Sequence, residues 1–283
     1  MAVDLTPSFK VIDPRFRQLA FPNVHLEKLH TGCRWAEGPT WFAAGRYLVW
    51  SDIPNDRMLR WDETDGSVSV FRQPAMNTNG HTVDLQGRLV SCEHRGRCVS
   101  RTEHDGRRTV LASQIEGKRL NSPNDVIVKS DGSIWFTDPS YGIDSDYEGD
   151  AAPSEVGDCG VYRIGPDGRS FEPVADGFVQ PNGLAFSPDE SLLYVADTSA
   201  THRVDGPATS GASAWEPMAA ASLAGRFLPT ALQGSSTAFA LTPEAICGRA
   251  PATACIATRP KVSFWARSGC RRRWPTCASE GPS

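Results

Sequence analysis

Asp, Asn and Tyr are absent from residues 206–283 of this 283-residue chain, although the rest of it is rich in acids. That last stretch holds 8 Lys+Arg against 3 Glu, a net of +5, whereas residues 1–205 hold 21 basic against 30 acidic residues, a net of −9. No uninterrupted apolar run reaches about 18 residues, which excludes a membrane-spanning helix. The opening M-A-V-D-L-T-P-S-F-K lacks a basic stretch followed by an apolar one, so no secretory leader is read and a cytoplasmic protein is expected. The 8 cysteines form no C-x-x-C pair and no regular framework, so free thiols are expected rather than disulfides. G-x-S-x-G, H-E-x-x-H and P-loop patterns are also missing, which argues against a serine hydrolase, a zincin and an NTPase. A net charge of −4 argues against a general nucleic-acid binder. What remains is ordinary globular usage, 40% hydrophobic and 22% charged, which excludes global disorder.

What is there is a repeat. Four segments align: E-G-P-T-W-F-A-A-G-R-Y-L-V-W-S-D (37–52), N-G-H-T-V-D-L-Q-G-R-L-V-S-C-E (79–93), N-D-V-I-V-K-S-D-G-S-I-W-F-T-D (124–138) and N-G-L-A-F-S-P-D-E-S-L-L-Y-V-A-D (182–197). Each begins with Glu or Asn, and Gly45, Gly87, Gly132 or Glu190 follows eight residues on. Each then runs through apolar residues to Asp52, Glu93, Asp138 or Asp197. The starts lie 42, 45 and 58 residues apart, the longest interval containing the insertion Y-G-I-D-S-D-Y-E-G-D-A-A-P-S-E. The units read as short strands rich in β-branched and aromatic residues, bounded by Asp-Gly turns. Four strands in about 40–45 residues is the pattern of a β-propeller blade, so the fold class is all-β.

In a propeller the first strand of each blade lines the central channel. The repeat therefore sets Glu37, Asn79, Asn124 and Asn182 in one ring at a channel mouth. One carboxylate and three amide oxygens suit a hard divalent cation, Ca2+ before Zn2+ or Mg2+. A metal there can polarise a carbonyl and lower the pKa of a bound water, and a hydrolase then needs a general base beside it. His81 and His94 stand near the start of one inner strand and the end of the next, where either can line a substrate cavity. Asp138 and Tyr141 precede the long insertion, a candidate lid, and are read as substrate-facing. Asp52 and Asp197 end second strands and are read as turn caps.

The segments E-G-P-T-W, C-E-H-R-G-R (92–97), N-S-P-N-D-V-I-V-K-S-D-G-S-I-W-F-T-D-P-S-Y-G and Q-P-N-G-L-A-F-S-P-D-E-S-L-L-Y-V-A-D-T closely resemble the gluconolactonase/regucalcin family. The resemblance covers about residues 15–205. It implies a six-bladed propeller and a metal-dependent hydrolase that opens sugar lactones, with a small-molecule sugar lactone as partner and neither nucleic acid nor membrane. It implies Glu37 and Asn182 as metal ligands, and Asn124 as a substrate contact that also reaches the metal in some members. Asn79, His81, Asp138 and Tyr141 complete the expected substrate site. The family's third ligand is an Asp of an Asp-Gly motif in the next blade, which also transfers the proton. A substrate-binding Arg of the animal members is replaced by Ser122. A non-catalytic calcium-binding propeller and a protein-interaction propeller are the competing functions.

That family Asp has no counterpart beyond residue 206, where strand alternation and Asp-Gly turns also stop. Ala, Arg, Pro, Cys and Trp crowd this stretch, as in a GC-rich coding strand read out of frame. Trp and Met codons end in G, so shifting the frame turns Glu216 into Gly, Ala219 into Gly, Ala266 into Gly and Pro275 into Ala. With permitted wobble, 208–219 reads R-H-I-R-R-F-R-V-G-A-D-G and 236–243 reads F-D-G-F-R-A-D-T. The recovered F-D-G sets an Asp where the chain has Thr237. The expectation is an incomplete lactonase propeller over 1–205 with about four recognisable blades, the fourth unfinished. Residues 206–283 are then an out-of-frame tail, disordered or non-native, and activity is impaired.

Overall fold

The computed structural model describes residues 27–198, together with the backbone of four short strands further on. It is a succession of four-stranded antiparallel meanders. The first contains β1 (Ala36–Phe42), β2 (Tyr47–Asp52), β3 (Arg57–Asp62) and β4 (Val68–Arg72). The second contains β5 (Thr78–Val83), β6 (Leu89–Glu93), β7 (Cys98–Thr102) and β8 (Arg108–Ala112). A small ribbon follows, of β9 (Gln114–Ile115) and β10 (Lys118–Arg119). The third sheet contains β11 (Val126–Val128), β12 (Ile134–Asp138), β13 (Cys159–Ile164) and β14 (Phe171–Phe178). Between β12 and β13 the insertion opens with the single-turn helix α1 (Tyr141–Asp144).

The fourth sheet begins with β15 (Pro181–Phe186) and β16 (Leu193–Asp197). Its outer strands are β17 (Ala212–Trp215) and β18 (Arg226–Leu228), and another pair, β19 (Phe239–Ala240) and β20 (Gly248–Arg249), lies beyond. The sequence pattern predicts no strand past 206, so these elements correct it. Leu193 pairs with Trp215 and Ala196 with Ala212, continuing the meander. The reason is that the outer edge of β16 offers unpaired main-chain N–H and C=O groups, which a segment without Pro can satisfy whatever its pattern. The expected boundary at 205/206 falls inside this sheet.

Asp-Gly turns make the hairpins. Gly66, Gly106, Gly132 and Gly168 have φ of +71°, +84°, +87° and +66°, which a β-carbon would strain. The preceding Asp accepts the N–H two residues on: Ser67 to Asp65 at 2.8 Å, Arg107 to Asp105 at 2.9 Å, Ser133 to Asp131 at 2.8 Å. In the fourth unit Glu190 occupies the glycine position at φ +56°, and its carboxylate accepts the Ser130 N–H at 2.9 Å. That inter-sheet bond offsets the left-handed backbone.

The core lies between sheets. Val90, Cys92 and Val99 of the second sheet meet Val126, Phe136 and Tyr162 of the third. Trp135 and Val161 of the third meet Leu184, Leu193 and Val195 of the fourth. Val49 and Met58 of the first meet Leu89 of the second. Trp135 and Phe136 are neighbours on β12 and leave on opposite faces, one toward each adjoining sheet. Each such side chain contributes about 1.5–3 kcal/mol by leaving water. Stacked four-stranded meanders of this kind are the β-propeller architecture expected from the repeat.

Candidate active site at the ring of first strands

Glu37 on β1, Asn79 on β5, Asn124 just before β11 and Asn182 on β15 are all buried and occupy one register position. Three of the four sheets break their ladder there, between Glu37 and Thr40, Thr78 and His81, and Pro181 and Leu184. A bulge re-aims the side chain it carries. Successive first strands also touch through their main chains. The Gly80 N–H donates to the Asn124 carbonyl at 2.7 Å. A β-carbon on Gly38 would lie 2.0 Å from the Asn79 carbonyl oxygen, and one on Gly80 2.5 Å from that of Asn124. Close approach of neighbouring sheets is thus why Gly follows the ring residue in E-G and N-G. The third unit has Asp125 there, half-buried, its carboxylate accepting the N–H groups of Val126 at 2.9 Å and Leu184 at 3.3 Å. Burial pushes that carboxyl up to about 7.

The acid ending each second strand fixes the loop leading to the ring. Asp52 accepts the N–H groups of Arg34 at 2.9 Å and Trp35 at 3.3 Å. Asp138 accepts that of Asn121 at 2.8 Å, and Asp197 those of Val179 at 2.8 Å and Gln180 at 3.0 Å. The residue before the acid ties one sheet to the next: Ser51 Oγ donates to the Asn79 carbonyl at 2.9 Å and Thr137 Oγ1 to that of Asn182 at 2.8 Å. The second sheet departs from this scheme. Glu93 accepts Arg108 Nε at 2.6 Å and Ser100 Oγ at 2.5 Å, and Asp56 accepts the Asn77 N–H at 2.8 Å in its stead.

His94 follows Glu93 directly and joins two ring residues. Its Nε2 lies 3.2 Å from Asn79 Nδ2 and 3.4 Å from Asn124 Nδ2. The imidazole is fully buried, and burial lowers its pKa to about 4. The insertion packs on it: a β-carbon on Gly142 would come within 2.4 Å of the His94 β-carbon, and Glu148 Oε2 stands 3.7 Å from His94 Nδ1. Burial, aided by Asp144, raises the Glu148 carboxyl to about 7. Tyr141 meets Thr198 through its hydroxyl and accepts from Asn182 Nδ2 at 3.5 Å. Burial lifts its phenol to about 12. Trp35 Nε1 donates to Glu37 Oε1 at 3.1 Å.

The structure therefore brings Asn79 and Asn124 together at His94, and Asn182 to Tyr141. His81 is a correction. Its Nε2 pairs with Ser51 at 2.7 Å and its Nδ1 with Ser91 at 2.8 Å, so no ring nitrogen is left for a substrate. Burial also lowers it to about 3, which keeps it a neutral bridge between two sheets. Asp138 is fully buried and caps Asn121, as Asp52 and Asp197 cap their own loops, and burial raises its carboxyl to about 7. Ser122 holds the insertion, donating to the Pro139 carbonyl at 2.6 Å and accepting the Gly142 N–H at 2.9 Å. Thr237 lies outside the described residues. Trp35 and Glu148 were missed. Nothing in the sequence separates Glu148 from the insertion's other acids, whereas Trp35 is legible only as the residue two before the ring.

Among the described residues no three His, Cys, Asp or Glu side chains gather as a metal cluster. The donors at the ring are instead one carboxylate and amide oxygens. The side-chain oxygens of Asn79 and Asn124 accept no hydrogen bond from the described residues, because each amide presents its nitrogen to His94. Hard, unengaged oxygen donors of this kind fit a calcium-like ion.

Residues 35–210 match the family model described as the SMP-30/Gluconolactonase/LRE-like region. A gluconolactonase of Zymomonas mobilis is 33% identical over 199 residues, 65% of this chain and 55% of that protein. The chain thus spans about half the length of this relative. A solved structure of a gluconolactonase from Xanthomonas campestris superposes with a TM-score of 0.79 at 37% identity, covering 89% of this chain and 81% of that one. The structure of a calcium-binding protein, regucalcin, from Agrobacterium tumefaciens shares the fold at a TM-score of 0.58 and 17% identity, over 77% and 68% of the two chains.

Proposed function

Because the chain belongs to the SMP-30/gluconolactonase/LRE-like family, we propose that it is built as a metal-dependent hydrolase that opens a sugar lactone. The observation that carries this reading is the pair of ring amides whose nitrogens meet at His94 Nε2, leaving their oxygens unengaged among the described residues, at the register that the buried carboxylate Glu37 shares. Glu37, Asn124 and Asn182 would hold the ion, and an all-oxygen donor set favours Ca2+ over Zn2+, which prefers nitrogen and sulfur. When bound, a divalent ion polarises the lactone carbonyl and lowers the pKa of water.

The chain's own residues supply orientation and proton handling. Asn79 and Asn124 offer amide groups to the substrate's hydroxyls or ring oxygen. Tyr141, its phenol raised to about 12, keeps its proton at neutral pH beside Asn182. Trp35 fixes the Glu37 carboxylate through one oxygen. His81 and Asp138 support the site from outside it. The general base belongs to the acid that a restored frame sets at the position of Thr237, and its loss impairs this chain. A calcium-binding propeller without turnover is the reading favoured for the chain as written, since it retains the ring but not that acid. A soluble, cytoplasmic setting and a small-molecule partner go with either.

The test compares the 283-residue chain with one whose frame is restored near residue 206, using gluconolactone hydrolysis followed by acid release. The restored protein is expected to turn over only with divalent metal, and changing its recovered acid to the amide lowers turnover by about 10²–10⁴-fold. Equal activity in written and restored chains would overturn the frame reading. Metal-independent turnover would overturn the role of the ring.

A further inference from the structure

We propose that His94 is a positioning residue that sets the orientation of the Asn79 and Asn124 amides, and that Glu148 selects the His94 tautomer which allows it. Both Nδ2 groups approach the same acceptor, His94 Nε2, at 3.2 and 3.4 Å. A neutral imidazole has one protonated and one bare nitrogen. The bare nitrogen can receive both amide NH2 groups. A protonated Nε2 could serve only one amide, and only through its oxygen. With Nε2 bare, a flipped amide would set its oxygen against the nitrogen lone pair, so both side chains keep their oxygens unengaged for a ligand.

What decides the tautomer is the other nitrogen. Nδ1 is buried, and Glu148 faces it twice, with its main chain, which bonds the imidazole, and with its side-chain carboxyl, whose Oε2 stands 3.7 Å away. An acceptor on that side holds the proton on Nδ1. The seat is specific. Gly142 leaves no room for a β-carbon against His94, and its N–H is held by Ser122 at 2.9 Å. The insertion of the third sheet thereby sets a residue of the second sheet, which in turn sets one ring amide from each. Neither Asn can reach this orientation through its own strand, because the contacts span 15 and 30 residues.

The inference rests on the ring being a ligand site, and the experiments separate the two. Nitrogen-15 spectra of the imidazoles in the full 283-residue chain, with His94 assigned by its loss in His94→Gln, report the tautomer without any metal. A bare Nε2 and a protonated Nδ1 are expected at neutral pH, and Glu148→Leu is expected to mix the tautomers. A protonated Nε2 in the unmodified chain overturns the proposal, and no change in Glu148→Leu overturns the part of the side-chain carboxyl, leaving selection to the Glu148 main chain. Calorimetric titration with Ca2+ is the second arm. His94→Leu is expected to weaken binding by about 10–100-fold, and His94→Gln, whose amide oxygen can accept the same bonds, to restore most of it. A folded His94→Leu protein with undiminished Ca2+ affinity, or equal losses in both variants, overturns the positioning role. Absence of Ca2+ binding in the unmodified chain overturns the metal reading alone, since the tautomer is read independently. Should His94→Leu fail to fold by circular dichroism, Glu148→Leu, in the less buried insertion, carries the affinity comparison.

Discussion

The second and third sheets carry acids at one register, Glu93 and Asp138, and use them in opposite ways. Asp138 turns back to hold the Asn121 N–H, as its counterparts do in the first and fourth sheets. Glu93 is one methylene longer and runs along its own sheet to Arg108, Ser100 and Cys98. The capping task passes to Asp56, from the connection between β2 and β3 of the first sheet, which takes Ala75 at 3.0 Å and Asn77 at 2.8 Å. The turn after β6 is thereby free of its own acid, and His94 within it reaches both Asn79 and Asn124. A repeat can surrender one local bond without losing the ring, provided a neighbouring sheet replaces it. The departure from the repeat marks the blade that contributes the joining residue.

If Glu93 needs its partner as a charge, breaking that pair should be the most damaging change in the comparison. Arg108→Met leaves a fully buried carboxylate without its cation and is expected to cost about 3–5 kcal/mol, read from denaturant unfolding. A loss under about 1 kcal/mol would mean that Ser100 and Cys98 satisfy Glu93 alone. Next comes the borrowed cap. Asp56→Ala leaves the Asn77 N–H unpaired and is expected to cost about 1–3 kcal/mol. The His94 imidazole resonances should shift with it, because the His94 N–H donates to the Asn77 carbonyl at 3.2 Å.

The Thr137 hydroxyl is one of several bonds that link the third and fourth sheets, so Thr137→Val should cost about 1 kcal/mol. Cys92 stands at that place in the second sheet and is expected to tolerate Ala with a smaller polar loss, its cost coming from packing.

The smallest effect at acid pH, and the most diagnostic, concerns Asp138. Its folded-state value of about 7 stands above the ordinary 3.8. Between these the folded protein holds more protons than the unfolded chain, so stability should fall as pH rises through that window. Asp138→Asn keeps an acceptor for Asn121, cannot ionise, and should flatten that part of the curve. An unchanged slope would show that Asp138 is not the group responsible.

Much of this architecture can be read in the chain because it is local. The eight-residue offset from Glu37, Asn79, Asn124 and Asn182 marks the hairpin turns, and the acids at 52 and 197 mark the caps, whereas Asp138, read as substrate-facing, caps Asn121 in the same way. Even so, the left-handed residue of the first hairpin is Arg46 at φ +53° rather than Gly45, a slip of one residue that composition does not reveal. His81 is the clearest misreading. Its two partners, Ser51 and Ser91, come from different sheets, and neither lies in its own strand. Glu148 was illegible for the same reason, since its meaning depends on where the insertion folds back. The strands at 212–215 and 226–228 were illegible because main-chain pairing, rather than side-chain alternation, sets them in the fourth sheet.

The insertion that carries Glu148 is moored to the second sheet by two ion pairs, Arg95 with Asp150 at 3.1 Å and Arg97 with Glu155 at 3.3 Å. Their carboxylates face water, 67% and 40% exposed, while the His94 seat beneath is sealed. Exposed pairs weaken as dissolved ions screen them, over a distance of about 8 Å at physiological strength. The insertion therefore has an outer hold that depends on the medium and an inner seat, at His94, that does not. Opening of the insertion, read by amide hydrogen exchange, should respond to ionic strength, and the orientation of the ring amides should be indifferent to it.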